Sequence, residues 1–490
     1  MKKRSCAAPR MSRTPGSRPP IMRPMRLPFL LPALLGLTLW APVPARAQSV
    51  PVPRMGWHDH YQRVVYDLPG RVGWTIHRQP GEVRVQLSGA TLPASSFAFE
   101  VPGDTVQAVV GAQSATFTSA QGKPLRLNVT LLPPAPGSSG RRLVLDLYPA
   151  DTWTDYEPPL AGPCALGQGG QAVPYVPPAF ATGQVGFYMA QLDPKTLAPL
   201  KVVTHQPDRL FPLASTFKQL TLWAALRDVD AGRLNLNTRF AVTSSNRSIE
   251  FYRPGNRTLL DLARQMVVSS ENTASDIVQL AVGPERLQAA ARGFGTCATR
   301  VQTTTKAMWA AQAGLIPEVY GPDTLSWAQT LLSLPETVQA QTAAGAVQAS
   351  LRLSPERVLT DLEAYFRSPA YSPQLDVALQ NRSTPREWAS LVAQLHLRGG
   401  LTPQSANTFR RFLAEGCCAP KGVTSRYWGS KAGSGWRLVT LSGLLQLQGG
   451  ETFAYAYFNH GSDVLDSPEI ERQLPQIARY VWDTAQRLRR

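Results

Sequence analysis

The sequence predicts a multidomain chain: an all-β sandwich followed by an α/β (α+β) unit, whose antiparallel sheet encloses an inserted all-α lobe. Three observations predict it. Residues 54–150 contain short alternating or β-branched runs, separated by Gly, Pro and Ser at intervals of about ten residues. Residues 158–183 are rich in Pro and Gly, the composition of a linker. Beyond Gln184, strand-like runs near both ends flank a helix-rich stretch from 215 to 413, where Ala, Leu, Gln and Arg dominate.

The first 47 residues read as an address. They carry nine Lys/Arg and no Asp or Glu. Arg23 and Arg26 precede an apolar run from Leu27 to Val43, and Ala45-Arg46-Ala47 follows, the pattern of a secretory signal. Met22 and Met25 are candidate translation starts within it. The run contains Pro32 and is shorter than the ~20 apolar residues a membrane span needs. The chain is therefore expected to be exported, periplasmic or cell-wall associated, with no integral membrane span after cleavage.

Charge excludes one class of partner. The formal net charge is +17, from 50 Lys/Arg against 33 Asp/Glu, and losing the leader lowers it to +8. The remaining surplus is scattered, with no basic block to track phosphates, so no nucleic-acid partner is expected. A hydrophobic content of 43% excludes a wholly disordered chain, and five cysteines are too few for a disulfide-built miniprotein.

The sandwich is assigned to 48–157. Its clearest strands are Arg63–Leu68, Val72–His77, Glu82–Leu87, Leu125–Leu131 and Arg142–Leu147. After the 158–183 linker, Val185–Gln191 and Lys201–Thr204 read as a hairpin that opens the second unit, 184–490. Strands return at Leu438–Leu447 and Thr452–Phe458, and a helix from Pro468 to Arg489 closes the chain. Loss of Cys6 with the leader leaves Cys164, Cys297, Cys417 and Cys418, enough for two disulfides in three connectivities. Cys417 and Cys418 are adjacent, so each is expected to pair elsewhere.

Three short motifs in the second unit bear on chemistry. In Ser215-Thr216-Phe217-Lys218 the i,i+3 spacing places the lysine one turn beyond the serine on the same helix face. A neutral lysine there can take the serine proton and make a nucleophile without histidine. The helix N-terminus offers backbone N–H groups where an oxyanion would form. The exported part holds only seven lysines, which makes a chance S-x-x-K less common. The second motif is Ser270-Glu271-Asn272, and the third is Lys431-Ala432-Gly433-Ser434-Gly435.

In order, these motifs resemble the S-x-x-K, S-D-N and K-T-G set of class A β-lactamases and penicillin-binding proteins. The surroundings Phe211–Lys218, Asp230–Leu234, Glu271–Asp276 and Ser383–Trp388 are similar as well. The resemblance covers about 184–490 and implies a β-lactamase/transpeptidase-like fold. It implies Ser215 as acylated nucleophile, Lys218 as its base, and Ser270 as proton relay to the leaving nitrogen. Asn272 would bind the substrate amide and Lys431 its carboxylate, while the N–H groups of Ser215 and Ser434 would form the oxyanion hole. No metal or cofactor is implied. The substrate would be a β-lactam or a peptidoglycan stem peptide ending in D-Ala-D-Ala.

Departures from the pattern matter too. Glu271 stands for the usual Asp, and Ala432 for the usual Thr. No E-x-x-L-N precedes Thr384-Pro385, where the resemblance places a deacylating glutamate; Glu363 is the nearest upstream candidate. Asn272 and Lys431 lie 159 positions apart, a long gap that points to a helical insertion at about 306–375, either decorative or beside the cleft.

The first unit resembles an AMIN domain in Arg63–Leu68, Glu82–Ala90 and Leu143–Leu147, which implies peptidoglycan binding. Other chemistries find no motif: G-x-S-x-G, H-E-x-x-H, C-x-x-C and G-x-x-x-x-G-K-[ST] are all missing from the sequence. His58 and His60 flank Asp59 without a further ligand set, and His205 and His460 read as structural. A rival reading is a wall-binding protein whose hydrolase unit has lost activity; the intact motif residues oppose it.

Overall fold

The computed structural model describes residues 53–490, apart from 59–60, 69–72, 80, 90, 102–103, 123–124, 135–139, 149–155, 322–323 and 369–370. The leader, its cleavage pattern and the side chains at 58 and 60 lie outside the described residues. No helix among the described residues is long and apolar enough to cross a membrane.

Among the described residues the first unit has nine strands. These are β1 (Arg54–His58), β2 (Tyr61–Leu68), β3 (Gly73–Gln79), β4 (Glu82–Ser88) and β5 (Ser95–Val101), then β6 (Asp104–Val110), β7 (Ser114–Ser119), β8 (Arg126–Leu132) and β9 (Arg141–Tyr148). They form two antiparallel sheets, ordered β1-β2-β9-β8 and β3-β4-β7-β6-β5. Period-2 alternation explains the core. Val64, Tyr66 and Leu68 of β2, Val83, Val85 and Leu87 of β4, and Val106, Ala108 and Val110 of β6 all point inward. Strands β5 to β7 escaped the sequence reading because Ser, Thr, Gln and Ala dilute their alternation.

The stretch read as a Pro/Gly-rich linker is strapped onto the second unit. Leu160 bridges Arg209, and Leu210 N–H donates to Pro159 O at 2.8 Å. Strand β10 (Gln171–Ala172) runs parallel to β12 (Pro199–His205), next to β11 (Gln184–Leu192). A disulfide ties Cys164 to Cys297. The other disulfide overturns an expectation, because Cys417 and Cys418 bond each other. Cys418 adopts φ 89°, a left-handed backbone that lets adjacent side chains face one another.

The chain then passes through β13 (Phe211–Pro212), a 3-10 turn (Ala214–Phe217) and α1 (Lys218–Asp230). Next come β14 (Arg239–Val242), β15 (Gly255–Thr258), α2 (Leu259–Val268), α3 (Asn272–Val282) and α4 (Pro284–Gly293). Six helices follow: α5 (Thr305–Gln312), α6 (Pro317–Tyr320), α7 (Thr324–Leu331), α8 (Glu336–Ser350), α9 (Pro355–Arg367) and α10 (Pro373–Leu379). The chain returns through β16 (Arg382–Ser383), α11 (Pro385–Arg398) and α12 (Pro403–Gly416). It ends with β17 (Tyr427–Gly435), β18 (Leu438–Gln446), β19 (Thr452–His460), α13 (Ser467–Ile470) and α14 (Leu474–Arg489).

The central sheet has the order β10-β12-β11-β19-β18-β17 and is covered on both faces. Trp388, Leu391 and Val392 of α11 share a core with Tyr188, Ala190, Leu444 and Phe458 on one face. Ile477, Val481, Ala485 and Leu488 of α14 pack with Phe187, Met189, Leu441 and Tyr457 on the other. Two-sided burial explains why β18 and β19 read as near-continuous apolar runs.

Helices α5 to α10 hold a core of their own, built on Trp309, Val347, Val358, Leu362 and Phe366. The chain enters and leaves this excursion through a zipped neck. Arg300 and Arg382 exchange backbone hydrogen bonds of 2.8 and 2.9 Å. Asn381 Oδ1 accepts from the backbone N–H of Gln302 and Thr303 at 2.9 and 3.1 Å. Phe211 and Pro212 pair with Ser383 and Arg382, so the neck lies directly beside the approach to Ser215.

Candidate active site

Ser215 sits in the 3-10 turn that leads into α1, half-buried, directly after Ala214 at φ 43°. A non-glycine residue in that region is strained by about 1–3 kcal/mol, and such strain concentrates at functional sites. Ser270, between α2 and α3, shows the same feature at φ 59°. The turn is anchored from beneath. Thr440 Oγ1 donates to Leu213 O at 3.1 Å, and Gln219 Nε2 donates to Ser442 Oγ at 2.8 Å.

Lys218 is fully buried. Its Nζ donates to Ser270 O and Asn272 Oδ1, both at 2.7 Å, and more weakly to Ser270 Oγ at 3.5 Å. Ser215 Oγ is not among its hydrogen-bond partners within the described residues. Burial lowers the Lys218 pKa from 10.5 to about 8, with Glu271, Glu250 and Asp276 pulling the other way. Burial raises the Glu271 carboxyl, whose side chain caps α3 by accepting from Ala274 N–H. Asn272 turns its Nδ2 to Glu250 Oε1 at 2.5 Å, and burial raises the Glu250 carboxyl as well.

Lys431 enters from the edge strand β17. Its Nζ donates to Ser270 Oγ at 2.8 Å and to Ala432 O at 2.6 Å. The strand lies tight against the Ser215 backbone at Gly433, where a Cβ would fall 2.4 Å from Ser215 N and 2.6 Å from Thr440 Oγ1. Only glycine permits that approach. Ser434 shares the cleft with Ser215 and Asn272, and its Oγ donates to Glu471, with Ser467 Oγ 3.1 Å away.

Ser215, Lys218, Ser270, Asn272, Lys431 and Ser434 therefore converge. Glu363 does not join them: it is exposed on α9, whose Phe366 faces the cleft instead. The sequence reading missed the aromatic wall of Trp309, Phe366 and Trp436, along with Thr305 and Gln380. Trp436 stacks on Phe366 at 5.0 Å, and Trp309 meets it edge-on at 6.3 Å. Two of these rings come from the insertion, which thus borders the cleft. Trp436 follows Gly435 directly and was legible by adjacency; Phe366 had no sequence signal.

Cys164, Cys297 and Glu387 are the one grouping among the described residues with metal-ligand spacing. The two sulfurs are bonded to each other, and Glu387 accepts from the N–H groups of Cys297, Ala298 and Thr299. That donor set is spent on structure and does not fit a metal.

Solved structures resembling the chain include a single-site mutant of the class A β-lactamase of the last common ancestor of Gram-negative bacteria. It is 19% identical, with a TM-score of 0.42, covering 62% of this chain and 94% of that one. A single-site mutant of PBP-A, solved as an acyl-enzyme complex with penicillin G, is 18% identical (TM-score 0.41; 62% and 91% covered). A β-lactamase from Sphaerobacter thermophilus DSM 20745 is 19% identical (TM-score 0.40; 61% and 89% covered). No curated protein matches the chain. The sequence profile described as the beta-lactamase enzyme family matches residues 176–485, well over half of the chain. The chain belongs to the beta-lactamase enzyme family.

Proposed function

We propose that the protein is an exported active-site-serine hydrolase, acylated on Ser215 by a β-lactam whose ring it opens. One observation supports this reading above the others: a hydrogen-bonded network joins Lys218, Ser270, Asn272 and Lys431 beside Ser215. In this reading neutral Lys218 takes the Ser215 proton, and Ser215 Oγ attacks the lactam carbonyl. The N–H groups of Ser215 and Ser434 stabilise the oxyanion. Ser270, held by Lys431, passes a proton to the departing nitrogen. Asn272 holds the acyl amide and Lys431 the substrate carboxylate. Export rests on the pattern of residues 1–47, and wall contact through 48–157 on the AMIN resemblance; sequencing the mature N-terminus and sedimentation with peptidoglycan test them.

The main test incubates the purified protein with a penicillin and follows ring opening and intact mass together. Ring opening, lost in Ser215→Ala, is the expected result. A stable adduct on Ser215 without turnover would move the assignment to a D-Ala-D-Ala peptidase. No adduct and no ring opening, as in Ser215→Ala, would overturn the proposal.

A further inference from the structure

Asn272 lines the cleft with Ser215, and its side-chain amide is held at both ends by opposite charges. Its Oδ1 accepts from Lys218 Nζ at 2.7 Å, and its Nδ2 donates to Glu250 Oε1 at 2.5 Å. Glu250 lies in the loop between β14 and β15 and is exposed. That loop is pinned on both sides of it. Ser248 N–H donates to Thr273 Oγ1 at 3.1 Å, Ile249 is buried in the core of the insertion, and Tyr252 Oη donates to Gln265 Oε1 at 2.8 Å. Glu250 therefore presents an open carboxylate at the Asn272 end of the cleft, outside the narrow part beside Ser215. Among the described residues no Lys, Arg or His forms a salt bridge with it. Lys218 acts on it through space but spends its protons on Ser270 and Asn272.

Resting on the acyl-serine reading above, we propose that Glu250 selects substrates whose acyl side chain carries an ammonium group. The Asn272 Nδ2 atom has two protons. One goes to Glu250. With Oδ1 turned to Lys218, the other is the proton left for the carbonyl oxygen of the substrate's acyl amide. Two acceptors on one amide nitrogen lie about 5 Å apart. A group carried on the carbon next to that carbonyl is thus brought within reach of the Glu250 carboxylate. An ammonium there donates a charge-assisted hydrogen bond, whereas a carboxylate there is repelled.

Two facts support this assignment over simple orientation of Asn272. Orientation needs only a hydrogen-bond acceptor, which a neutral amide supplies as well as a carboxylate. A full charge is an added cost here, because Glu250 and Glu271 repel each other beside Asn272. A cation from the substrate offsets that repulsion. In addition, protein packed around the carboxyl raises its pKa although the residue as a whole is exposed. An ammonium beside it acts in the opposite sense and holds the carboxylate ionised.

The test uses the full mature protein and two penicillins that differ in one group. Ampicillin carries an ammonium next to the acyl carbonyl, and benzylpenicillin carries hydrogen there. The rate constant for acylation of Ser215 is measured with each, in the unaltered protein and in Glu250→Gln, which keeps an acceptor for Asn272 and loses the charge. The ratio of the two rates is the readout, so any effect of the substitution on Lys218 or on the Asn272 amide divides out. The ampicillin-to-benzylpenicillin ratio should fall about fivefold in Glu250→Gln, the scale of an exposed ion pair. A second pair, a peptide ending in Lys-D-Ala-D-Ala with its lysine free or acetylated, is followed by release of D-alanine. A fall confined to the penicillin pair supports the proposal with a β-lactam as the source of the ammonium, and a fall in the peptide pair supports it with a wall peptide. Ratios unchanged by Glu250→Gln in both pairs would overturn the proposal. No adduct with either penicillin and no release of D-alanine would instead overturn the acyl-serine reading.

Discussion

Lys218 makes the sharpest prediction, because its hydrogen bonds and its proposed task as a base conflict. Nζ spends its protons on Ser270 O, Asn272 Oδ1 and Ser270 Oγ, the pattern of a resting ammonium. To receive the Ser215 proton it must first lose one. With the pKa brought down by burial to about 8, the neutral form is about 10% at pH 7, about 50% at pH 8 and about 90% at pH 9. The rate constant for acylation, measured by stopped flow at subsaturating penicillin, should rise about ninefold from pH 7 to pH 9 and then level off. An ordinary lysine near 10.5 would still be gaining tenfold per pH unit at pH 9. Lys218→Arg keeps the charge in every buffer and should slow acylation by about a hundredfold or more across the range. A flat profile between pH 6 and pH 10, or a rate that falls as pH rises, would refute Lys218 as the base.

Three further outcomes follow from packing. Gly433→Ala places a methyl against Ser215 N and Thr440 Oγ1, so stability should fall by about 1–3 kcal/mol and acylation should slow sharply; an unchanged acylation rate would count against the close approach of β17. Phe366→Ala removes a buried ring from both the insertion core and the cleft wall, and should lower stability by about 3–5 kcal/mol in a denaturant titration. Replacing Cys164 and Cys297 together by serine frees a loop closed over a separation of 133 residues, with an expected loss of about 3–5 kcal/mol in the same titration.

Much of this molecule was legible where one physical signal dominated. Alternation marked β2, β4 and β9, since each buries every second residue in one sandwich core. The i,i+3 spacing of Ser215 and Lys218 and the ordered second and third motifs named the residues that converge. What escaped depends on tertiary context. Pro and Gly between 158 and 183 suggested freedom, but backbone pairing to Val202 and Arg209 and a disulfide hold that stretch down. Adjacent cysteines suggested separate partners until a left-handed Cys418 allowed them to meet. Thr305 and Phe366 reach the cleft only because the neck at Arg300 and Arg382 folds the insertion back over Ser215, and no local pattern encodes that return.

The central claim is that Ser215, and no other hydroxyl, becomes acylated. The protein is quenched in acid shortly after mixing with benzylpenicillin, digested with trypsin and analysed by mass spectrometry. The account predicts that the peptide Leu210–Lys218 carries the added mass of the penicillin, and that Ser215→Ala abolishes it. An adduct on any other peptide, or one that persists in Ser215→Ala, would contradict it.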